Sequence, residues 1–109
     1  MLGWLVWILE ERTLKSFWRR HPDSRAPLVA WIKEVEVARW QAPADVRKRF
    51  ATASFVRDKV VFNIGGNEYR LVVRFRYADS KRKPPLHGIA MVLFVGTHRS
   101  YDDIDVTEL

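Results

Sequence analysis

The chain has no cysteine among its 109 residues. That excludes disulfides and thiolate metal sites and fits a reducing, cytoplasmic setting. Histidine is scarce, and His21, His87 and His98 are widely spaced with no carboxylate cluster beside them. A structural zinc is therefore not expected, and nothing points to any other metal or cofactor. Glycine is scarce as well, five in all. The single GG pair at 65–66 is followed by neither GKS nor a GxGxxG spacing, so no phosphate-cradling loop is encoded. No serine stands in a nucleophile-elbow pattern. Long apolar runs are missing: "MLGWLVWIL" is too short to span a bilayer and meets Glu10 and Glu11 directly, so no membrane role is expected. It also lacks the basic start and small-residue cleavage site of a secretory signal. Internal repeats and low-complexity tracts are absent.

What is present is an ordinary soluble composition, 48% hydrophobic and 29% charged, at a length that suits one domain spanning residues 1–109. Charge is distributed unevenly. Residues 1–46 carry seven Lys/Arg and six Asp/Glu, residues 47–99 carry twelve and three, and residues 100–109 carry none and four. A basic half inside a compact domain attracts polyanions, nucleic acid first among them. A solvated basic surface would show the same counts.

Residues 4–9, "WLVWIL", read as a buried strand. From Glu10 to Arg20 the period changes: Leu14, Phe17 and Trp18 share one helical face, with Glu10 and Glu11 in the first turn and Arg19 and Arg20 in the last. "HPDS" breaks the chain, and Asp23 or Ser24 is positioned to cap a second helix with Pro27 in its first turn. That helix presents Leu28, Trp31, Ile32 and Val35 on one face and is expected to end near Trp40. Residues 41–58 read as a polar connection containing "RKR", with Phe50 and Phe55 as anchors. Three strand-type segments follow at 59–64, 68–77 and 89–97, the first two joined by "GGN" as a tight hairpin. Thr97 or Ser100 then caps a short C-terminal helical turn. The fold class is α+β: two N-terminal helices packed on one side of an antiparallel sheet, in the order β-α-α-β-β-β. The other side of the sheet is expected to be free for solvent or a ligand. The five tryptophans, all within residues 4–40, belong to buried faces or their edges.

In "NIGGNEYRLVVRFRY", alternation puts Tyr69, Leu71, Val73, Phe75 and Tyr77 on the helix side and Arg70, Val72, Arg74 and Arg76 on the other. Neighbouring guanidiniums repel unless an anion lies among them, and arginine suits bidentate contact with phosphate. Just past the last strand, His98 and Tyr101 stand three residues apart and share a side if the segment is helical. Singly, each of these residues has an ordinary structural role. Together with Arg70 they supply the parts of a metal-free ribonuclease. One group takes a proton from a ribose 2′-hydroxyl, cations stabilise the pentavalent phosphate, and an acid protonates the leaving oxygen.

The stretches "VVFNIGGNEYRLV" and "FVGTHRSYDDID", with "HPDSRAPLVAWIKEVEVARWQAPADVRKRFATASFV" before them, closely resemble the HigB-type toxins of type II toxin–antitoxin systems. The resemblance covers nearly the whole chain. It implies a RelE-like fold and a cytoplasmic mRNA interferase, an endoribonuclease that cuts mRNA during translation on the ribosome. It also implies a HigA-type helix-turn-helix antitoxin as partner, with operator DNA bound only through that antitoxin. Carried over to this sequence, the motifs make Arg70, His98 and Tyr101 the candidate catalytic residues. Arg70 is expected on the scissile phosphate, and His98 and Tyr101 as acid and base. Lys59, Asn67, Arg74 and Arg76 are the candidate RNA-binding residues, Asn67 with an alternative role in holding the hairpin. The loop "DSKRKPPLHG" departs from the family pattern by being longer and more basic than a compact turn. A non-catalytic RNA- or ribosome-binding module is the competing reading. It would keep the basic sheet and cut nothing, with binding that falls steeply with salt.

Overall fold

Apolar periodicity sets most of the elements in the computed structural model, which describes residues 6–109. In chain order these are β1 (Val6–Leu9), α1 (Glu11–Arg20), a 3-10 turn at Pro22–Ser24 and α2 (Arg25–Glu36). Then come α3 (Pro43–Arg49), β2 (Ser54–Val56), β3 (Lys59–Ile64), β4 (Tyr69–Arg76), β5 (Gly88–Thr97), α4 (His98–Asp102) and a last 3-10 turn at Val106–Glu108. Trp4 and Leu5, assigned above to the first strand, lie outside the described residues.

Several expectations need correction. The connection at 41–58 holds a helix and a strand. Pro43 opens α3, Asp45 sits in its first turn, and Arg47, Lys48 and Arg49 fill its last, so the "RKR" run complements a helix dipole. α2 ends at Glu36, four residues early. Neither Asp23 nor Ser24 caps it through a side chain. Ser24 Oγ instead donates to the His21 carbonyl at 2.7 Å, and Asp23 accepts the Tyr69 hydroxyl. Trp7 is 54% exposed rather than buried, whereas Trp31 and Trp40 are in the core.

The sheet has the order β1-β5-β4-β3-β2. It is mixed, because β1 runs parallel to β5, from Val6 opposite Gly88 to Leu9 opposite Met91. The remaining neighbours are antiparallel. Gly65 and Gly66 at φ +61° and +68° make the β3–β4 turn, a left-handed backbone that a side chain resists. One face of the sheet joins the helices in a single core. Val60, Phe62 and Ile64 of β3 and Tyr69, Leu71, Val73 and Phe75 of β4 meet Leu14 and Phe17 of α1, and Leu28, Trp31, Ile32 and Val35 of α2. Phe62 is edge-on to both Trp31 and Phe50, at centroid separations of 5.4 and 5.1 Å.

The opposite face is not free. The chain after β5 folds back over it, and Val61, Val72 and Val106 form a second buried cluster with Leu93, Phe94, Tyr101, Ile104 and Leu109 packed around it. A bulge in β5 makes this possible: Val72 pairs with Phe94 but Val73 with Val92. The extra residue, Leu93, thereby joins Phe94 in the outer cluster.

The hydrogen bond from Tyr69 to Asp23 ties β4 to the turn before α2 and raises the phenol to about 12, mainly because the carboxylate accepts a hydrogen bond from the neutral hydroxyl. The stabilisation it gives is complete below the ordinary phenol value of 10.0 and is lost as pH rises through about 12. In a spectrophotometric titration one tyrosine should ionise near pH 12 in the wild type and return toward the ordinary value in Asp23→Asn; identical curves would refute the link. Leu71→Ala should cost about 3 kcal/mol in urea unfolding, by cavity formation in the fully buried centre of β4. Exposed Val37→Ala should change stability by less than about 0.5 kcal/mol.

Candidate functional site

Arg70 follows the glycine turn directly, and its register partners are Asn63 on β3 and Gly96 on β5. It points to the outer face, as alternation requires, yet it is only 9% exposed. The side chain curls back along the hairpin. Nη2 donates to Asn67 Oδ1 at 2.9 Å, and Nη1 donates to the backbone carbonyls of Asn67 and Tyr69 at 3.2 and 3.3 Å. No carboxylate pairs with it among the described residues, and Nε has no hydrogen-bond partner there. A guanidinium has five donors, so this one is held in place with bonding capacity left over. Asn67 positions the arginine and does not itself occupy left-handed backbone; the two glycines before it do.

β5 delivers the other candidates. Gly96, across from Arg70, has no room for a side chain, since a Cβ there would overlap Ser100 Oγ and the Phe94 ring. That close approach seats α4 against the end of the sheet. Thr97 caps α4 by accepting from the Ser100 amide at 3.0 Å. The His98 amide donates to the Glu68 carbonyl at 3.0 Å, which fastens the start of α4 to the same hairpin that holds Arg70. The His98 side chain is half-exposed, with Nε2 at 3.7 Å from Asp102 Oδ2, a contact that becomes an ion pair when the imidazole is protonated. Tyr101, one turn on, packs beside Phe94 at a centroid separation of 6.4 Å. Arg70, His98 and Tyr101 thus belong to one end of the outer face, where the hairpin and the β5–α4 junction meet.

The remaining basic candidates are placed differently. Lys59, 4% exposed, lies under the C-terminal segment, where Nζ donates to the Thr107 carbonyl at 3.3 Å. Arg74 pairs with Asp58 at 3.0 Å and donates to the Leu109 carbonyl at 3.0 Å. Arg76 is exposed and donates to the His87 carbonyl at 3.1 Å. The covering segment is itself organised by an acid. Asp105 accepts from Thr107 Oγ1 and N at 2.6 and 3.0 Å, and those bonds, with Lys59 and Arg57 nearby, hold its carboxyl below the usual range. Alternation put Arg70, Arg74 and Arg76 on the outer face, and Lys59, for which the sequence reading gave no face, lies there too. It gave no sign that Lys59 and Arg74 are engaged by residues 105–109, because that contact joins parts of the chain far apart in sequence.

Among the described residues, no group of three His, Asp or Glu side chains is arranged to hold a metal ion, and no helix is long and apolar enough to cross a membrane. Residues 24–104 match the family model of HigB toxins, the RelE-like toxic component of a toxin–antitoxin system. The match contains both Arg70 and the THRSYDD segment. No curated protein matches the chain.

Lys59 provides a reporter for the C-terminal cover. Val106→Asp places a charge among Val61 and Val72, at a cost of several kcal/mol to the closed arrangement. Acetylation of Lys59 relative to exposed Lys48, read by mass spectrometry, should rise about tenfold in that variant. An unchanged ratio would mean that the segment does not shield Lys59.

Proposed function

The chain belongs to the HigB family, the RelE-like toxins of toxin–antitoxin systems, and from that premise we propose that it is an mRNA endoribonuclease that cuts translated mRNA on the ribosome. The toxin role brings an antitoxin partner with it; a HigA-type helix-turn-helix protein fits the family reading. The observation that carries the nuclease assignment is Arg70. A guanidinium buried to 9% exposure without an anionic partner is costly to maintain, and an incoming phosphate would offset that cost. Arg74 on the same strand differs, its charge being paired with Asp58 at 3.0 Å.

In this reading the scissile phosphate is held by the Arg70 Nε and Nη2 edge, while Asn67 fixes the guanidinium plane. The RNA's own 2′-hydroxyl is the nucleophile. A base removes its proton, the oxygen attacks the adjacent phosphorus, and a pentavalent intermediate forms whose extra negative charge Arg70 stabilises. The P–O5′ bond then breaks as an acid gives the leaving oxygen a proton. The products are a 2′,3′-cyclic phosphate and a free 5′-hydroxyl. His98 and Tyr101 are the proton-transfer groups on α4, with Asp102 placed to stabilise a protonated imidazole. Arg76, exposed at the far end of β4, would hold flanking phosphates. Lys59 and Arg74 would do so only when the C-terminal segment lifts from them.

Induced wild-type protein should arrest growth and produce new mRNA 5′ ends within translated regions. Arg70→Ala should reduce cleavage about 10²–10³-fold and His98→Ala about 10²–10⁴-fold, each relieving the arrest. Co-expressed antitoxin should suppress both effects. Full toxicity of both variants would dismiss this site, and arrest without new 5′ ends would favour the non-cleaving RNA-binding module.

A further inference from the structure

α1 buries Leu14 and Phe17. Arg12, Thr13, Ser16, Arg19 and Arg20 fall at i, i+1, i+4, i+7 and i+8, a single stripe on the other side of the helix. Together with Val95 of β5 they line an open groove of about 450 Å³. The second wall exists because β1 pairs only with Gly88–Met91. From Val92 to Thr97 that edge of β5 has no strand neighbour among the described residues.

Charge in the groove is largely uncompensated. Arg12 has a long contact with Glu10 at 3.4 Å, on a side chain 86% exposed, which contributes little. Arg19 and Arg20 have no acidic partner among the described residues. The two hydroxyls add neutral donors between the cations. Val95 is the one apolar residue in the lining, so an amphipathic peptide would have almost nothing on which to bury an apolar face. A chain of phosphates needs what is there: spaced guanidiniums with hydroxyls between them.

The groove also leads toward the candidate site. Phe17 of α1 and His21 just after it contact the Tyr69 ring at centroid separations of 5.4 and 5.8 Å, and Tyr69 is directly across from Thr97. The C-terminal end of α1 therefore stands beside the β5–α4 junction. Val95 and His98 are three residue steps apart along the strand, a span of about 10 Å.

We propose that the α1–β5 groove is a binding track for the phosphate backbone of single-stranded RNA, delivering it to the Arg70–His98 end of the sheet. The proposal rests on RNA being the ligand of this domain, the reading given above, and assigns contact roles to Arg12, Arg19 and Arg20. The test uses the full chain and a labelled 2′-O-methyl oligoribonucleotide of about twelve nucleotides, which lacks the nucleophilic hydroxyl and so separates binding from cleavage. Fluorescence anisotropy across a salt series should show Arg19→Gln/Arg20→Gln binding about tenfold more weakly at about 0.1 M salt, with a log–log salt slope shallower by about 1.4. Glutamine keeps the helix propensity. Lys33→Gln, which removes an exposed cation on α2, should match the wild type. Affinity and slope unchanged in the double variant would overturn the proposal. So would a double variant that loses the antitoxin while holding RNA normally, since the groove would then serve a protein. Groove-dependent binding in a protein that cuts no mRNA would uphold the track and defeat the nuclease reading instead.

Discussion

β4 is buried on both of its faces, and most of the molecule follows from that. Leu71, Val72 and Val73 are consecutive and have no exposed surface. Two of them point toward the helices and the middle one points away, so one layer of helices cannot satisfy the strand. Burying Val72 requires a second cover, and residues 104–109 supply it through Ile104, Val106 and Leu109. At about 25 cal/mol per Å² the apolar gain of each such contact is modest, but it is enough to hold a short segment lacking regular structure longer than one turn. The same cover brings backbone carbonyls to Lys59 and Arg74, which would otherwise be cations beside an apolar patch.

The two ends of the outer face consequently differ. At the Lys59–Arg74 end the cations meet carbonyls, an aspartate and the acidic segment 102–108. At the Arg70 end the guanidinium is bonded only to neutral oxygens. That asymmetry separates Arg74, whose charge is paired with Asp58, from Arg70, whose charge is not, although both point to the outer face of one strand. In the proposed reaction, a guanidinium fixed in this way would leave little to reorganise as negative charge builds on phosphorus.

Much of this was legible in the sequence, and the omissions have physical causes. β3, β4 and β5 announce themselves by alternation and by the glycine turn, and α1 by Leu14, Phe17 and its charged ends. α3 has a single buried side chain, Val46, which is too little for a period to be visible. β2, three residues long, is defined only by its pairing with β3. The parallel neighbour of β5 is a tertiary choice that no local pattern encodes. Arg70, His98 and Tyr101 could be singled out from residue type, spacing and family likeness. The burial of Arg70 could not, since it depends on how Asn67 and the hairpin carbonyls draw the side chain back along the turn. The groove residues of α1 were noticed only as partners for a helix dipole, because a groove needs its second wall, and that wall is a strand some eighty residues away in sequence, a separation of the kind that slows folding.

The β1–β5 pairing also sets a timetable. Val6 waits for Gly88 and Leu9 for Met91, so β1 remains without its strand partner until residues 88–91 have been synthesised. Local contacts such as the β3–β4 hairpin form in microseconds, whereas a pairing with so large a loop to close comes late. Arg70 can be in place on its hairpin early, but His98 and the α1 groove wall arrive only with β5. In the proposed site, a nascent chain would therefore carry Arg70 on its hairpin well before His98 and Tyr101 join it. His98 and Tyr101 can take their places only after β5 has been made.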